Sequence, residues 1–160
     1  SQTWDVIISD LSDPIEEGPS FALFTKEYYQ KLQKVLSPQG MVVIQAGPVA
    51  PANLQLHARL VNTLKAVFPN VHSYFSPTTT YGSAWGFALA SQATLETQPS
   101  PEEIDQLLAN QTHGGFKALD GVGLLGMLNT PLYIRQAIAT ETQVYTLSEP
   151  SKFFGKGNRE

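Results

Sequence analysis

Two carboxylates, Asp10 and Asp13, stand three residues apart at the end of an apolar run, in the stretch DVIISDLSDP from Asp5 to Pro14. Acids so placed have three possible uses. They can serve the turn itself, because Asp at a strand exit makes an Asx-turn and Asp before Pro is ordinary turn chemistry. They can hold a divalent cation, although a hard metal prefers more oxygen ligands than can be located here. They can also bind an alkylamine and remove its proton. A carboxylate in contact with an ammonium gains about 4 kcal/mol at an effective dielectric of roughly 20, before desolvation is counted. An alkylamine with a pKa near ~10.4 is charged at neutral pH, and freeing its lone pair costs about 4–5 kcal/mol. A positioned carboxylate lowers that barrier by taking the proton as bonding proceeds. Asp10, fixed by the strand, suits the base; Asp13, on the loop, suits the holder of the ammonium.

Such acids must be delivered by a rigid element. Val6, Ile7 and Ile8 are consecutive and β-branched, which predicts a parallel strand over Asp5–Ser9 covered on both faces. Thr25 can cap a helix to about Leu36, with Tyr28, Tyr29, Leu32, Val35 and Leu36 on its apolar face and Ser37-Pro38-Gln39-Gly40 ending it. MVVIQAG, from Met41 to Gly47, reads as a second buried strand. Asn53 can cap a helix over Leu54–Phe68, and Val71–Ser76 reads as a third strand. WGFALAS, from Trp85 to Ser91, alternates bulky with small residues and predicts a fourth strand with one bulky face. About eight residues join the last two strands, too few for a helical crossover, so that pair should be antiparallel.

The order β-α-β-α-β-β predicts a parallel sheet with helices on its faces. In such a sheet ligands bind outside the carboxyl ends of the strands. Asp10 and Asp13 follow the first strand, Gln45 lies near the end of the second, and Thr78–Tyr81 follow the third. Three separate segments therefore send polar groups to one rim. Beyond residue 92, Ser100-Pro101-Glu102-Glu103 forms a capping box for a helix to about Ala109. THGG breaks the chain, and the glycine-rich Asp120–Gly126 leads to Thr130-Pro131, which should open a helix to Ile138. ETQVYTL is expected as a last strand, with the tail from Lys152 frayed.

With 160 residues, 42% hydrophobic and 15% charged, the chain can build a core and does not read as disordered. A net charge of −4 argues against nucleic-acid binding, which needs a basic face. The absence of cysteine excludes disulfides and thiolate metal sites. His57, His72 and His113 lie far apart, none at metal-ligand spacing, so no metal is expected. No apolar run has membrane-spanning length and no signal-peptide pattern is present, so a cytoplasmic location without a membrane partner is expected. The chain passes from Ser1-Gln2-Thr3-Trp4 into a strand almost at once, with no initiator Met, and reads as a piece of something longer.

The segment from Trp4 to Ser91 resembles the polyamine aminopropyltransferases, the spermidine synthase family. That pattern is a buried strand, D-x-x-D-P, G-P, L-[FY]-T with an aromatic-rich helix, and a strand ending Q-x-G. Here Asp10, Asp13, Pro14, Gly18, Pro19, Leu23, Phe24, Thr25, Tyr28, Tyr29, Gln45 and Gly47 stand in those places. Glu16 and Glu17 lengthen the loop before Gly18, and TYGSAWGFALAS and the later LDG…ETQVYT look like the thermospermine synthase-like branch. The family's glycine-rich donor loop, the acid that holds the donor ribose and the N-terminal β-hairpin region would lie upstream. The resemblance therefore implies the C-terminal portion only. On this reading residues 1–92 are the second half of a Rossmann-like, methyltransferase-type α/β domain, with a parallel sheet and an antiparallel last strand. Residues 93–160 are a short helical appendix and tail. KALDGVGLLGML stands where ordinary spermidine synthases carry Y-N-x-x-x-H.

The resemblance implies transfer of an aminopropyl group from decarboxylated S-adenosylmethionine, a co-substrate, to putrescine or spermidine. Methylthioadenosine leaves, with no further cofactor and no metal. It implies Asp10 as proton acceptor, Asp13, Gln45 and Tyr81 as substrate-binding residues, and Pro19 lining the thioadenosine pocket. It implies a homo-oligomer for the full-length parent and an inactive piece on its own. Two rivals remain: a methyltransferase relative, which would not need the second acid, and a polyamine-binding domain without chemistry.

Overall fold

The structure, a computed structural model, describes residues 2–12, 14 and 20–150. Its centre is a four-stranded sheet of β1 (Trp4–Ser9), β2 (Leu36–Pro48), β3 (Asn70–Thr78) and β4 (Ser83–Ser91), in the spatial order β1-β2-β4-β3. β1 runs parallel to β2, with Val6 opposite Met41 and Ser9 opposite Ile44. β4 is antiparallel to both of its neighbours, and its short connection from β3 requires this of the β3–β4 pair.

The helices among the described residues are α1 (Lys26–Val35), α2 (Gln55–Lys65), α3 (Pro101–Gln111), α4 (Gly121–Leu128) and α5 (Leu132–Thr140). Thr25 caps α1, its Oγ1 accepting the Tyr28 N–H at 3.4 Å. Ser100 caps α3 through the Glu103 N–H at 3.2 Å, with Pro101 in the first turn. Asn53 does not cap α2. It ends a 3-10 turn over Pro51–Asn53, and Leu54 takes the cap position with no side-chain bond. The glycine-rich segment after Asp120 is helix rather than loop. Asp120 Oδ1 accepts the Gly123 N–H at 2.7 Å, and Gly121 lets α4 approach α3: a Cβ there would stand 2.0 Å from the Pro101 carbonyl oxygen. ETQVYTL joins no ladder. Its Tyr145 instead bonds α1 and α2 directly, taking the Lys26 N–H on its carbonyl at 2.8 Å and donating its own N–H to Thr63 Oγ1 at 3.0 Å.

α2 lies against β2, β3 and β4, and the core forms between them. Val42, Ile44 and Ala46 of β2, Ala88 and Ala90 of β4, and Leu60, Val61 and Leu64 of α2 are all buried in one cluster. The small face of β4 is thus the buried one, and Trp85, Phe87 and Leu89 stand on the half-exposed side. α2 needs the room: a Cβ at Gly86 would meet the His57 ring at 2.3 Å.

The expectation of a first strand covered on both faces is corrected. β1 is an edge strand, and Trp4, Val6 and Ile8 are 52%, 52% and 73% exposed, while Ile7 packs on the core. The expectation of a helical appendix on an incomplete half-domain is corrected as well. Ile134 and Ile138 of α5 and Tyr145 belong to the same cluster as the sheet and α2, so the residues after β4 help to build the core. No helix among the described residues is long and apolar enough to cross a membrane.

Candidate active site

A cavity of about 370 Å³ opens beside the carboxyl ends of β1 and β2. Asp10, Leu11 and Ser12 come from the exit of β1, Gln45 from the end of β2, Thr78 and Tyr81 from the end of β3 and the turn after it, and Trp85 and Phe87 from β4. The structure therefore brings Asp10, Gln45 and Tyr81 to one cavity. Asp13, Glu16, Glu17 and Pro19 lie outside the described residues.

Gln45 joins the exits. It is only 7% exposed. Its Nε2 donates to the Leu11 carbonyl at 2.9 Å, tying the residue after Asp10 to β2. Its Oε1 accepts from the Gly47 N–H at 2.9 Å and from the Trp85 Nε1–H at 2.7 Å. One amide thus ties the backbone at Leu11 and Gly47 to the indole of Trp85. The bonds fall where the β2–β4 ladder slips, between Gln45 and Pro48. Gly47 sits at the slip with φ +77°, a left-handed conformation that favours glycine, and Leu56 leaves no room for a Cβ.

Trp85 and Tyr81 build the wall opposite Asp10's strand. Their ring centroids are 4.4 Å apart at an interplanar angle of 42°, and Tyr81 is 61% exposed. A 3-10 turn over Thr79–Tyr81 presents the phenol, and Gly82, with φ +68°, closes it. Behind them Phe87 stacks on Tyr74 at 5.2 Å, and burial pushes the Tyr74 phenol pKa up. Asp10 is exposed at the mouth.

Such a cavity has an anion at one side and an aromatic face at the other. It can hold a cation by charge and by cation–π contact while covering attached methylenes. From the sequence Trp85 reads first as a core residue and second as a border of the amine channel, because a period-two pattern does not say which face of a strand is buried. Its four-residue spacing from Tyr81 is the signal that could have found it. Leu11 and Ser12 enter as parts of the loop, and neither residue type carries a signal of its own. Among the described residues no three His, Asp or Glu side chains gather as they would around a metal ion.

A sequence model of the spermine/spermidine synthase domain matches residues 1–99. A polyamine aminopropyltransferase of Synechococcus sp. (strain JA-2-3B'a(2-13)) is 48% identical over 152 residues, covering 93% of this chain and 49% of that protein. A thermospermine synthase of Arabidopsis thaliana is 30% identical over 158 residues, covering 98% of this chain and 46% of that protein. A crystal structure of spermidine synthase in complex with the transition-state analogue AdoDATO superposes with a TM-score of 0.73 at 21% identity, over 88% of this chain and 46% of that one. The chain spans about half the length of the curated relatives it matches. The likeness is not confined to residues 4–91 or to a C-terminal remnant with an appendix, as expected from motifs alone. It runs over nearly the whole chain, and the fold is spermidine-synthase-like α/β along that length.

Proposed function

The chain belongs to the spermine/spermidine synthase domain family, and from that premise we propose that the cavity at its strand tips carries aminopropyl transfer to a polyamine. Asp10 takes one proton from an acceptor ammonium and frees the lone pair. The nitrogen attacks the carbon beside the sulfonium sulfur of decarboxylated S-adenosylmethionine. As the N–C bond forms the C–S bond breaks, methylthioadenosine leaves with the electron pair, and the product is a secondary ammonium. The sulfonium is already a good leaving group, so the protein's part is in-line alignment and a base.

The observation that carries this reading is the shared cavity of Asp10 and Tyr81, a carboxylate facing the same space as an exposed aromatic ring. Tyr81 and Trp85 offer the methylene chain of a polyamine an apolar wall and its charge a π face. Asp10, exposed, can return its proton to water after each turnover. Gln45 faces the amine while holding the two loops that frame it. Asp13, as holder of a second ammonium, and Pro19, beside the thioadenosine, enter this reading through the family pattern alone.

Incubating a full-length protein that contains this chain with decarboxylated S-adenosylmethionine and either putrescine or spermidine tests the proposal, since the chain spans about half the length of the relatives it matches. Methylthioadenosine and a lengthened polyamine are expected in equal amounts. S-adenosylhomocysteine formed from S-adenosylmethionine would identify a methyltransferase instead. Polyamine binding with no product would identify a binding module.

A further inference from the structure

We propose that His57 is a positioning residue for this site, holding the tip of β2 from beneath the sheet through the Ala46 carbonyl. The inference rests on the reading of the cavity given above. His57 belongs to α2, is fully buried and lines none of the cavity. Its Nδ1 lies 3.3 Å from the Ala46 carbonyl oxygen, and its Nε2 lies 2.7 Å from Ser73 Oγ on β3. A carbonyl only accepts, so Nδ1 carries the hydrogen. Nε2 of the neutral ring is then the acceptor, and the Ser73 hydroxyl donates to it. The two bonds orient the imidazole completely.

The place of this contact gives it a role. Regular pairing of β2 with β4 runs to Gln45 opposite Phe87 and resumes only at Pro48 opposite Trp85. Ala46 and Gly47 fall in the gap, where side chains supply what the ladder does not. Gln45 Oε1 accepts the Gly47 N–H from the cavity side, and His57 Nδ1–H donates to the Ala46 carbonyl from the core side. Slips of this kind aim side chains beside active sites. The single peptide group that joins Ala46 to Gly47 is therefore held at both ends, its N–H by Gln45 and its carbonyl by His57, and Gln45 also grips Leu11 and Trp85. β4 carries glycine opposite the ring, since a Cβ at Gly86 would come within 2.3 Å of His57 Nδ1. Burial lowers the His57 pKa to about 4 against the pull of the Ala46 carbonyl, which keeps the ring neutral and the tautomer fixed near pH 7.

Two substitutions separate positioning from bulk. His57→Asn places an amide N–H where Nδ1 was and keeps the bond to Ala46. His57→Gln places it near the Nε2 position, toward Ser73, and gives up Ala46. The proposal predicts kcat within a few-fold of wild type for His57→Asn and a fall of roughly tenfold or more for His57→Gln, because small misplacements at a reacting centre are costly. The thermal midpoints of the two should be similar, and the Gly47 amide resonance should move only in His57→Gln. Equal kcat for the two variants, or activity that merely follows thermal stability, overturns the proposal. A readout on the unmodified protein needs neither variant to fold. Nitrogen-15 spectra should show the imidazole protonated at Nδ1 near pH 7, and a ring protonated at Nε2 overturns the proposal outright. Absence of transfer by the wild type would count against the functional reading, while the tautomer and the Gly47 shift would still decide the role of His57.

Discussion

Gln45 shows how much one amide can organise. It is nearly buried, and its oxygen and nitrogen hold Gly47, Trp85 and Leu11 together. Trp85→Phe keeps an aromatic wall but removes one donor from a buried acceptor. Losing such a bond costs about 1–2 kcal/mol. That fall should appear in urea denaturation, with a raised KM for the polyamine in steady-state kinetics. A stability and a KM both equal to wild type would show that the indole N–H contributes nothing. Tyr29 makes the opposite case. Its ring is fully buried in the core, and its hydroxyl has no hydrogen-bond partner among the described residues. Burial also raises its pKa beyond the ordinary phenol range. Tyr29→Phe removes an unsatisfied polar group, whose burial costs about 1–3 kcal/mol. The variant should be as stable as wild type or more so, and a clear loss in the denaturation midpoint would reveal a partner for the hydroxyl.

At the scale of elements, local signals were read where the physics is local. Thr25 and Ser100 cap the helices that follow them because their hydroxyls meet the free N–H groups three residues on. The antiparallel β3–β4 pair follows from a connection too short for a crossover. What depended on strand order was not legible. The apolar run of β1 reads as a covered strand, yet its edge position leaves Val6 and Ile8 facing outward. α4 was missed because three glycines outweigh a single Asp cap in any propensity argument, whereas its close approach to α3 demands glycine. The cavity is legible through Asp10, Gln45 and Tyr81, each at the end of a patterned element. Trp85 and His57 are not, since a strand pattern does not name its buried face and a lone histidine suggests no partner. The tight seat of α2 on β4 can be tested through Gly86. Gly86→Ala puts a methyl against His57 and Val49, and overpacking of this kind costs about 1–3 kcal/mol. Calorimetry should register a lowered Tm, and an unchanged Tm would mean that α2 does not press on the sheet there.

The segment from α5 to Tyr145 packs into the core begun by the earlier elements. α5 and Tyr145 complete the cluster begun by the sheet and α2, and Arg59 pairs with Glu141 at 3.2 Å across the join. Within this core His57 sets a pH dependence. Its folded pKa, about 4, lies below the ordinary value of 6.5. Above pH 6.5 the ring is neutral in both states and its contribution is fully present. As pH falls from 6.5 to about 4 the unfolded chain takes up a proton that the folded one refuses. Stability should then decline by roughly 3 kcal/mol in all, and this contribution levels off below that window. Urea denaturation across the window should show the decline in wild type, and His57→Asn should remove this share of it. An identical slope in both proteins would assign the dependence to other groups.

The claim beneath all of this is that one carboxylate at the tip of β1 accepts the proton that frees an amine. Asp10→Asn tests it most directly, since it preserves size and hydrogen bonding while removing the base. Methylthioadenosine release with spermidine or putrescine as acceptor should fall by about 10²–10⁴-fold, with binding of decarboxylated S-adenosylmethionine near normal by calorimetry. Turnover by Asp10→Asn at the wild-type rate would contradict the account.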